Sequence, residues 1–165
     1  MFPPNISRSS LRSCLGKSGF SIIEVLIVIT ILGLLLSIAT PAYEKYEGRR
    51  DTNQAKQDIL AIQTAIDRFY IENNHFPDSL AEISMNQIKD PWGSPYFYLD
   101  VANYDKKSSD AKVRRDKKLK PVNSDYDLYS AGKDGLSKPP FTAGVSRDDV
   151  VRCNNGKYLG FARDY

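Results

Sequence analysis

The stretch KSGFSIIEVLIVITILGLLLSIATPAYEKY, residues 17–46, decides how the rest of the chain is read. From Phe20 to Ala42 it is mostly Ile, Leu, Val and Ala, interrupted by Ser21, Glu24, Thr30, Gly33, Ser37, Thr40 and Pro41. About 20 such residues in a helix cross a hydrocarbon layer roughly 30 Å thick. Glu24 sits just inside the near end, where a carboxylate costs about 2.5–3.5 kcal/mol at mid-membrane and is usually functional. Two readings follow. Either Glu24 lies near the interface and reaches back to water, or it awaits a positive partner. A cut before Phe20 would create an α-amino group four residues away. The Phe20 amine of one subunit could then pair with Glu24 of a neighbour.

The flanks orient the span. Arg8, Arg12 and Lys17 precede it in a segment of 19 residues without an acid, and Glu44, Lys45 and Glu47 follow it. An excess of Lys and Arg before the span places the N-terminus in the cytoplasm and the following domain outside. The segment is not an ordinary signal peptide, whose apolar region precedes the cleavage site. Nor does Cys14 read as a lipoprotein cysteine, because Arg12 lies two residues before it and no apolar region leads up to it. The length of 165 residues allows one domain plus an appendage. Three of the 23 basic residues lie in the first 19, leaving 20 against 20 acids. Bulk charge therefore does not argue for a nucleic-acid partner. Of two cysteines, only Cys153 lies beyond the leader, so no internal disulfide framework is available.

Lys17-Ser18-Gly19 followed by Phe20-Ser21-Ile22-Ile23-Glu24-Val25-Leu26 resembles the class III signal of type IV pilins and type II secretion pseudopilins. The resemblance implies that a prepilin peptidase cuts after Gly19 and methylates Phe20. Glu24 matches the family's glutamate, Gly33 its mid-helix glycine and Pro41 its helix-interrupting proline. Ser18 departs from the pattern, since a basic residue often directly precedes the glycine. The expected division is a cleaved leader over 1–19, a transmembrane or filament-core helix over 20–42, and a periplasmic domain over 43–165.

Past Pro41 the pattern stays helical. Ala55, Ile59, Ile62, Ile66 and Phe69 recur at steps of four and three, one apolar stripe with polar residues around it. Asn73-Asn74 is expected to stop the helix. Ser79-Leu80-Ala81-Glu82 reads as a capping box opening a short helix. Asp90-Pro91-Trp92-Gly93-Ser94-Pro95 is a turn cluster. Tyr96–Leu99 and Tyr126–Ser130 read as antiparallel strands, with a third over Tyr158–Ala162. The fold class is α+β: a long N-terminal helix packed on a small antiparallel sheet, with a long C-terminal loop. The basic run from Lys106 to Pro121 reads as an exposed, solvated hairpin loop, with an electrostatic contact to DNA or an acidic partner as the other reading.

Asp90-Pro91-Trp92-Gly93 and Ser130-Ala131-Gly132-Lys133-Asp134-Gly135 narrow the resemblance to the major pseudopilins of type II secretion. The basic insertion and the ending after Arg152 fit that pattern less well. Gly132 to Val150 holds little that can pack, and long irregular loops in compact domains are functional or disordered. It begins with Asp134 and ends with Asp148-Asp149. Calcium takes six to eight oxygens from carboxylates and carbonyls, so a cation could bridge these acids and close the loop. The residues alone leave open a solvated loop in which Asp149 caps a turn. The resemblance implies calcium, held by Asp134, Asp148 and Asp149 with backbone carbonyls near Ala131 and Ser130.

No Ser/His/Asp or Cys/His set, glycine-rich phosphate loop or CxxC pair occurs, so an enzyme is not expected. The resemblance implies a structural subunit of the inner membrane that polymerises into a periplasmic pseudopilus and drives protein export across the outer membrane. Its partners would be copies of itself, minor pseudopilins, the prepilin peptidase, an inner-membrane assembly platform and the lipid bilayer. A type IV pilus subunit for adhesion, motility or DNA uptake is the alternative. A membrane-tethered receptor or enzyme with an uncut anchor is the third. Mass spectrometry of the chain from the membrane fraction is expected to find methylated Phe20 as the first residue. An intact Met1 in assembled material would exclude the pairing between the Phe20 amine and Glu24.

Overall fold

The computed structural model describes residues 19–103 and 112–165. The leader residues Arg8, Arg12, Cys14 and Lys17, and the first part of the basic run up to residue 111, lie outside them. The chain divides into two compact units, Met1–Tyr43 and Glu44–Tyr165. One helix, α1 (Ile22–Asn73), contributes to both.

In the first unit α1 is apolar all round, long and apolar enough to cross a membrane, and its side chains are exposed. Its hydroxyls are satisfied by the helix itself. Thr30 Oγ1 donates to the Leu26 carbonyl at 2.7 Å, Ser37 Oγ to Leu34 at 2.8 Å and Thr40 Oγ1 to Leu36 at 2.9 Å. Such bonds to the preceding turn are what a polar side chain must make where no water is available. The helix runs through Pro41 without a break, although that residue has no N–H to give the Ser37 carbonyl.

In the second unit α1 becomes one-sided. Thr52, Ala55, Ile59, Ile62 and Ile66 are buried, while Phe69 is half-buried and meets His75 edge-on at 5.5 Å. The helix stops at Asn74, whose φ of 59° is left-handed and whose N–H returns to the Tyr70 carbonyl at 2.8 Å, an αL cap suited to Asn. The four-residue step expected after it differs. Residues 79–84 form turns rather than a helix, and the Glu82 carboxylate accepts from the Asp78 N–H at 3.0 Å instead of capping Ser79.

The sheet has four antiparallel strands in sequence order: β1 (Phe97–Asp100), β2 (Tyr126–Ser130), β3 (Val150–Cys153) and β4 (Tyr158–Phe161). The third expected strand is thus the fourth. Val150–Cys153, read as the region after a loop, is an inner strand paired on both edges, Tyr129 with Val151 on one side and Arg152 with Leu159 on the other. All four β3 residues are buried. Alternate residues of a strand face opposite sides. Val150 joins the cluster around Ala55, Ile59, Ile62, Ile66, Tyr126 and Leu128, whereas Val151 and Cys153 join Val122, Phe141 and Ala162. The sheet therefore has two covers: the stripe of α1 on one face, and on the other the segment ending at Val122 together with the loop around Phe141.

Arg152 ties strand to helix. Its guanidinium binds both Asp125 oxygens, at 2.6 and 3.0 Å, lies 4.0 Å from the centre of the Tyr126 ring, and donates from Nε to Gln63 Oε1 at 3.1 Å. Cys153 is fully buried and free, and burial pushes its thiol up to about 12, which keeps it protonated and inert.

Ile62→Ala, at a fully buried position, is expected to cost about 2–5 kcal/mol by denaturant unfolding of the full chain in detergent. Leu60→Ala, half-exposed on the same helix, is expected to cost well under about 1 kcal/mol. Equal losses would contradict the assignment of the packed face.

Candidate functional site

Two places carry the residues singled out by the sequence. The first is the start of α1. Gly19 and Phe20 precede the helix and are exposed, Phe20 by 81%. Glu24 lies in the first turn, where the Ser21 carbonyl already receives its N–H at 3.0 Å. Among the described residues no side chain pairs with its carboxylate.

The second place is the C-terminal loop, residues 132–149, and here the two motifs that narrow the resemblance are joined. Asp90 Oδ1 accepts from the N–H groups of Trp92 and Ser94, at 3.1 and 2.8 Å, and closes the Pro91-Trp92-Gly93 turn. Its other oxygen accepts from Ser130 Oγ at 2.5 Å. Ser130 Oγ in turn accepts from the Gly132 N–H at 3.1 Å. Gly132 has φ +69°, and a Cβ there would collide with the Asp148 carbonyl and its carboxylate. Only glycine meets both demands. Asp148 Oδ2 then accepts from the N–H groups of Lys133 and Asp134, at 3.0 and 3.2 Å. So the Asp90 turn, the end of β2 and both ends of the loop form one hydrogen-bonded chain.

The expected calcium ligands are distributed differently. Ala131 is fully buried. Asp134 uses Oδ1 to accept from the Leu136 N–H at 2.8 Å, a local turn. Asp148 accepts from the two loop amides with Oδ2 alone. Asp149, also fully buried, turns to another partner: its Oδ2 accepts from Arg114 Nη2 at 2.5 Å and from Ser137 Oγ at 2.7 Å. The structure thus brings Asp134 and Asp148 together but places Asp149 with an arginine. Among the described residues, no group of three or more His, Cys, Asp or Glu side chains is placed to hold a metal ion. As the loop is folded, Asp134, Asp148 and Asp149 do not form one cluster of side chains.

Arg114 went unread because it lies inside a run of cations. The described part of that run is not simply solvated. Val113 and Arg114 are buried, and residues 114–122 fold back through a turn in which the Asp116 N–H donates to the Lys120 carbonyl at 2.9 Å. Arg115 bridges to Pro121 and, in parallel, to Pro140. The only hint in the sequence was the pair Val113 and Val122, apolar residues bracketing a polar turn. The loop also packs better than its composition suggested, through buried Phe141 and through Ser146, whose hydroxyl both accepts from the Lys138 N–H and donates to its carbonyl, each at 2.8 Å.

Below Arg114 lies Asp127, buried on β2. Its Oδ2 accepts from the Arg114 N–H at 2.7 Å and Oδ1 from Asn123 Nδ2 at 2.9 Å. Burial nevertheless pushes its carboxyl up to about 6, against the pull of those two donors. Burial also raises Asp149, opposed by the Arg114 charge.

Comparison with known proteins places this architecture. The family description "Prokaryotic N-terminal methylation motif" matches residues 15–40, which defines the class: a chain with a prepilin-type N-terminal motif opening a helix long and apolar enough to cross a membrane. Over most of its length the chain is similar to proteins named type II secretion system core protein G. It is 27% identical to that of Escherichia coli (strain K12) over 146 residues, 76% of this chain and 88% of the relative. It is 32% identical to that of Aeromonas hydrophila over 111 residues, 54% of this chain and 78% of the relative. A type IV major pilin protein PilA of Myxococcus xanthus is 37% identical over 128 residues, 78% of this chain but 52% of the pilin. No solved structure matches. The chain belongs to the type II secretion system core protein G family of pilin-like pseudopilins.

Between pH 4 and 6 the native chain holds a proton at Asp127 that the unfolded chain has released. Stability from this group therefore falls as pH rises through that window and is level above it, a loss of roughly 3 kcal/mol at most. Asp127→Asn removes the titration. Its melting temperature relative to the wild-type chain is expected to rise progressively from pH 4 to pH 6 and then stay constant. A difference that does not change with pH would show that Asp127 ionises normally.

Proposed function

We propose that the chain is a structural subunit of a type II secretion pseudopilus, made as a prepilin, anchored by α1 in the inner membrane with its folded unit in the periplasm, and polymerised to drive export across the outer membrane. The observation that carries this reading is similarity to core protein G that continues from the N-terminal motif through the folded unit, covering 88% of the Escherichia coli relative. Processing would occur between Gly19 and Phe20 by a prepilin peptidase, and minor pseudopilins and an inner-membrane platform would be its assembly partners. No catalysis is assigned to it; its work is assembly.

Physically, the subunit must leave lipid and enter a filament. The apolar surface of α1 is fit for either setting, because hydrocarbon and packed Leu and Ile are alike to it. Glu24 is the exception, and an amine from the next subunit would remove the cost of an unpaired carboxylate in an apolar medium. Similarity to the Myxococcus xanthus pilin supports a pilus subunit as the second reading, but it covers only about half of that protein.

Glu24→Ala is expected to insert in the membrane normally while filaments fall by roughly tenfold or more, the ratio that about 1.4 kcal/mol of lost pairing produces. Secreted cargo would then accumulate in the periplasm while surface pili persist. Loss of pili with normal secretion would favour the pilus reading, and normal filaments would remove the pairing argument.

A further inference from the structure

We propose that Arg114 is the resident cation of the C-terminal loop: its guanidinium, clamped between two rings and bound to Asp149, closes the loop, and the folded unit needs no calcium. The inference is independent of what the assembled filament does.

Four observations converge on it. Arg114 is 2% exposed and Asp149 0%, so the pair is cut off from water. The three oxygens that face the guanidinium all come from the loop or its end. Nη2 donates to Asp149 Oδ2, and Nη1 donates to Ser137 Oγ at 2.5 Å and to the Lys138 carbonyl at 2.7 Å. Ser137 closes the triangle by donating to the same Asp149 oxygen. Finally, the guanidinium carbon lies 4.3 Å from the centre of the Tyr129 ring and 5.0 Å from that of Phe141. One ring belongs to β2, the other to the loop.

This geometry selects a flat organic cation. Guanidinium is planar, donates in its own plane and stacks on aromatic faces. A hard divalent ion needs six to eight oxygens around it, and two aromatic neighbours deny it those directions. A calcium ion on the other Asp149 oxygen would stand beside the guanidinium, and two cations side by side in a low-dielectric site repel strongly. The arginine reaches the site because residues 114–122 fold back against residues 139–141, with the Arg115 N–H donating to the Pro139 carbonyl and the Phe141 N–H to the Arg115 carbonyl, at 3.0 and 3.1 Å. The loop is thereby tied to the β1–β2 connection by a covalently attached cation, which cannot be chelated away. Two buried atoms, Arg114 Nε and Asp149 Oδ1, have no protein partner. Both belong to this pair, one on the cation and one on the carboxylate.

The test uses the full chain in detergent, melted with excess EGTA or with millimolar calcium chloride, and titrated with calcium by calorimetry. The wild-type chain is expected to melt at the same temperature in both buffers and to show no saturable calcium binding. Trypsin is expected to leave its loop equally protected with and without EGTA. Arg114→Ala is expected to melt roughly 10 °C lower or more, and Arg114→Lys to melt below wild type because an ammonium cannot fork or stack. A calcium-dependent rise in the wild-type melting temperature, or saturable calcium binding, would overturn the proposal even if Arg114→Ala fails to fold. So would an Arg114→Ala chain that melts like wild type. Secretion and filament formation are not read here, so a failure of the pseudopilus reading leaves this result intact.

Discussion

Burial of β3 on both faces is the constraint from which the second unit follows. Four residues, Val150 to Cys153, lie between β2 and β4 and send side chains to two separate cores. One face is closed by the stripe of α1, from Ala55 to Ile66. The other must be closed by something without regular structure, because the chain has no second long helix among its described residues. That task falls to the 113–122 segment and the 132–149 loop. Irregular backbone can cover a sheet only if its polar groups find partners. The hydrogen-bonded chain from Asp90 through Ser130, Gly132 and Asp148 supplies them at one end, and Arg114 supplies them at the other.

The two buried arginines divide the labour by face. Arg152 lies toward α1, where it joins Asp125, Gln63 and the Tyr126 ring. Arg114 lies on the loop side with Asp149, Tyr129 and Phe141. Each is paired, stacked and multiply hydrogen-bonded, the conditions under which a charge can be kept out of water. Neither pair need add net stability over a well-packed apolar core, yet losing one partner of such a pair costs about 3–5 kcal/mol. They fix which surfaces meet more than how strongly they hold.

What could be read in advance divides along the same line. The long apolar helix, the stripe of α1, the Asp90 turn and strands β1, β2 and β4 were legible because each is encoded locally, by periodicity or by turn residues. Strand β3 was not, since Val-Val-Arg-Cys is four residues long, lacks alternation and carries a charge. Arg114 was hidden for a different reason: within Lys112 to Lys120 nothing local separates a buried cation from solvated ones. Its role arises only where residues 114, 137 and 149 meet in space. The same holds for the loop, where the backbone amides that bind Asp148 and the guanidinium that binds Asp149 come together only in the folded chain.

The hydroxyls of Thr30, Ser37 and Thr40 each return to a carbonyl of their own helix. Their polar needs travel with the segment and do not depend on the medium around it. Sliding that segment out of a bilayer therefore breaks no bond to lipid or water at these positions, and extraction is not held back by them. At these three positions the helix is indifferent to whether hydrocarbon or packed side chains surround it.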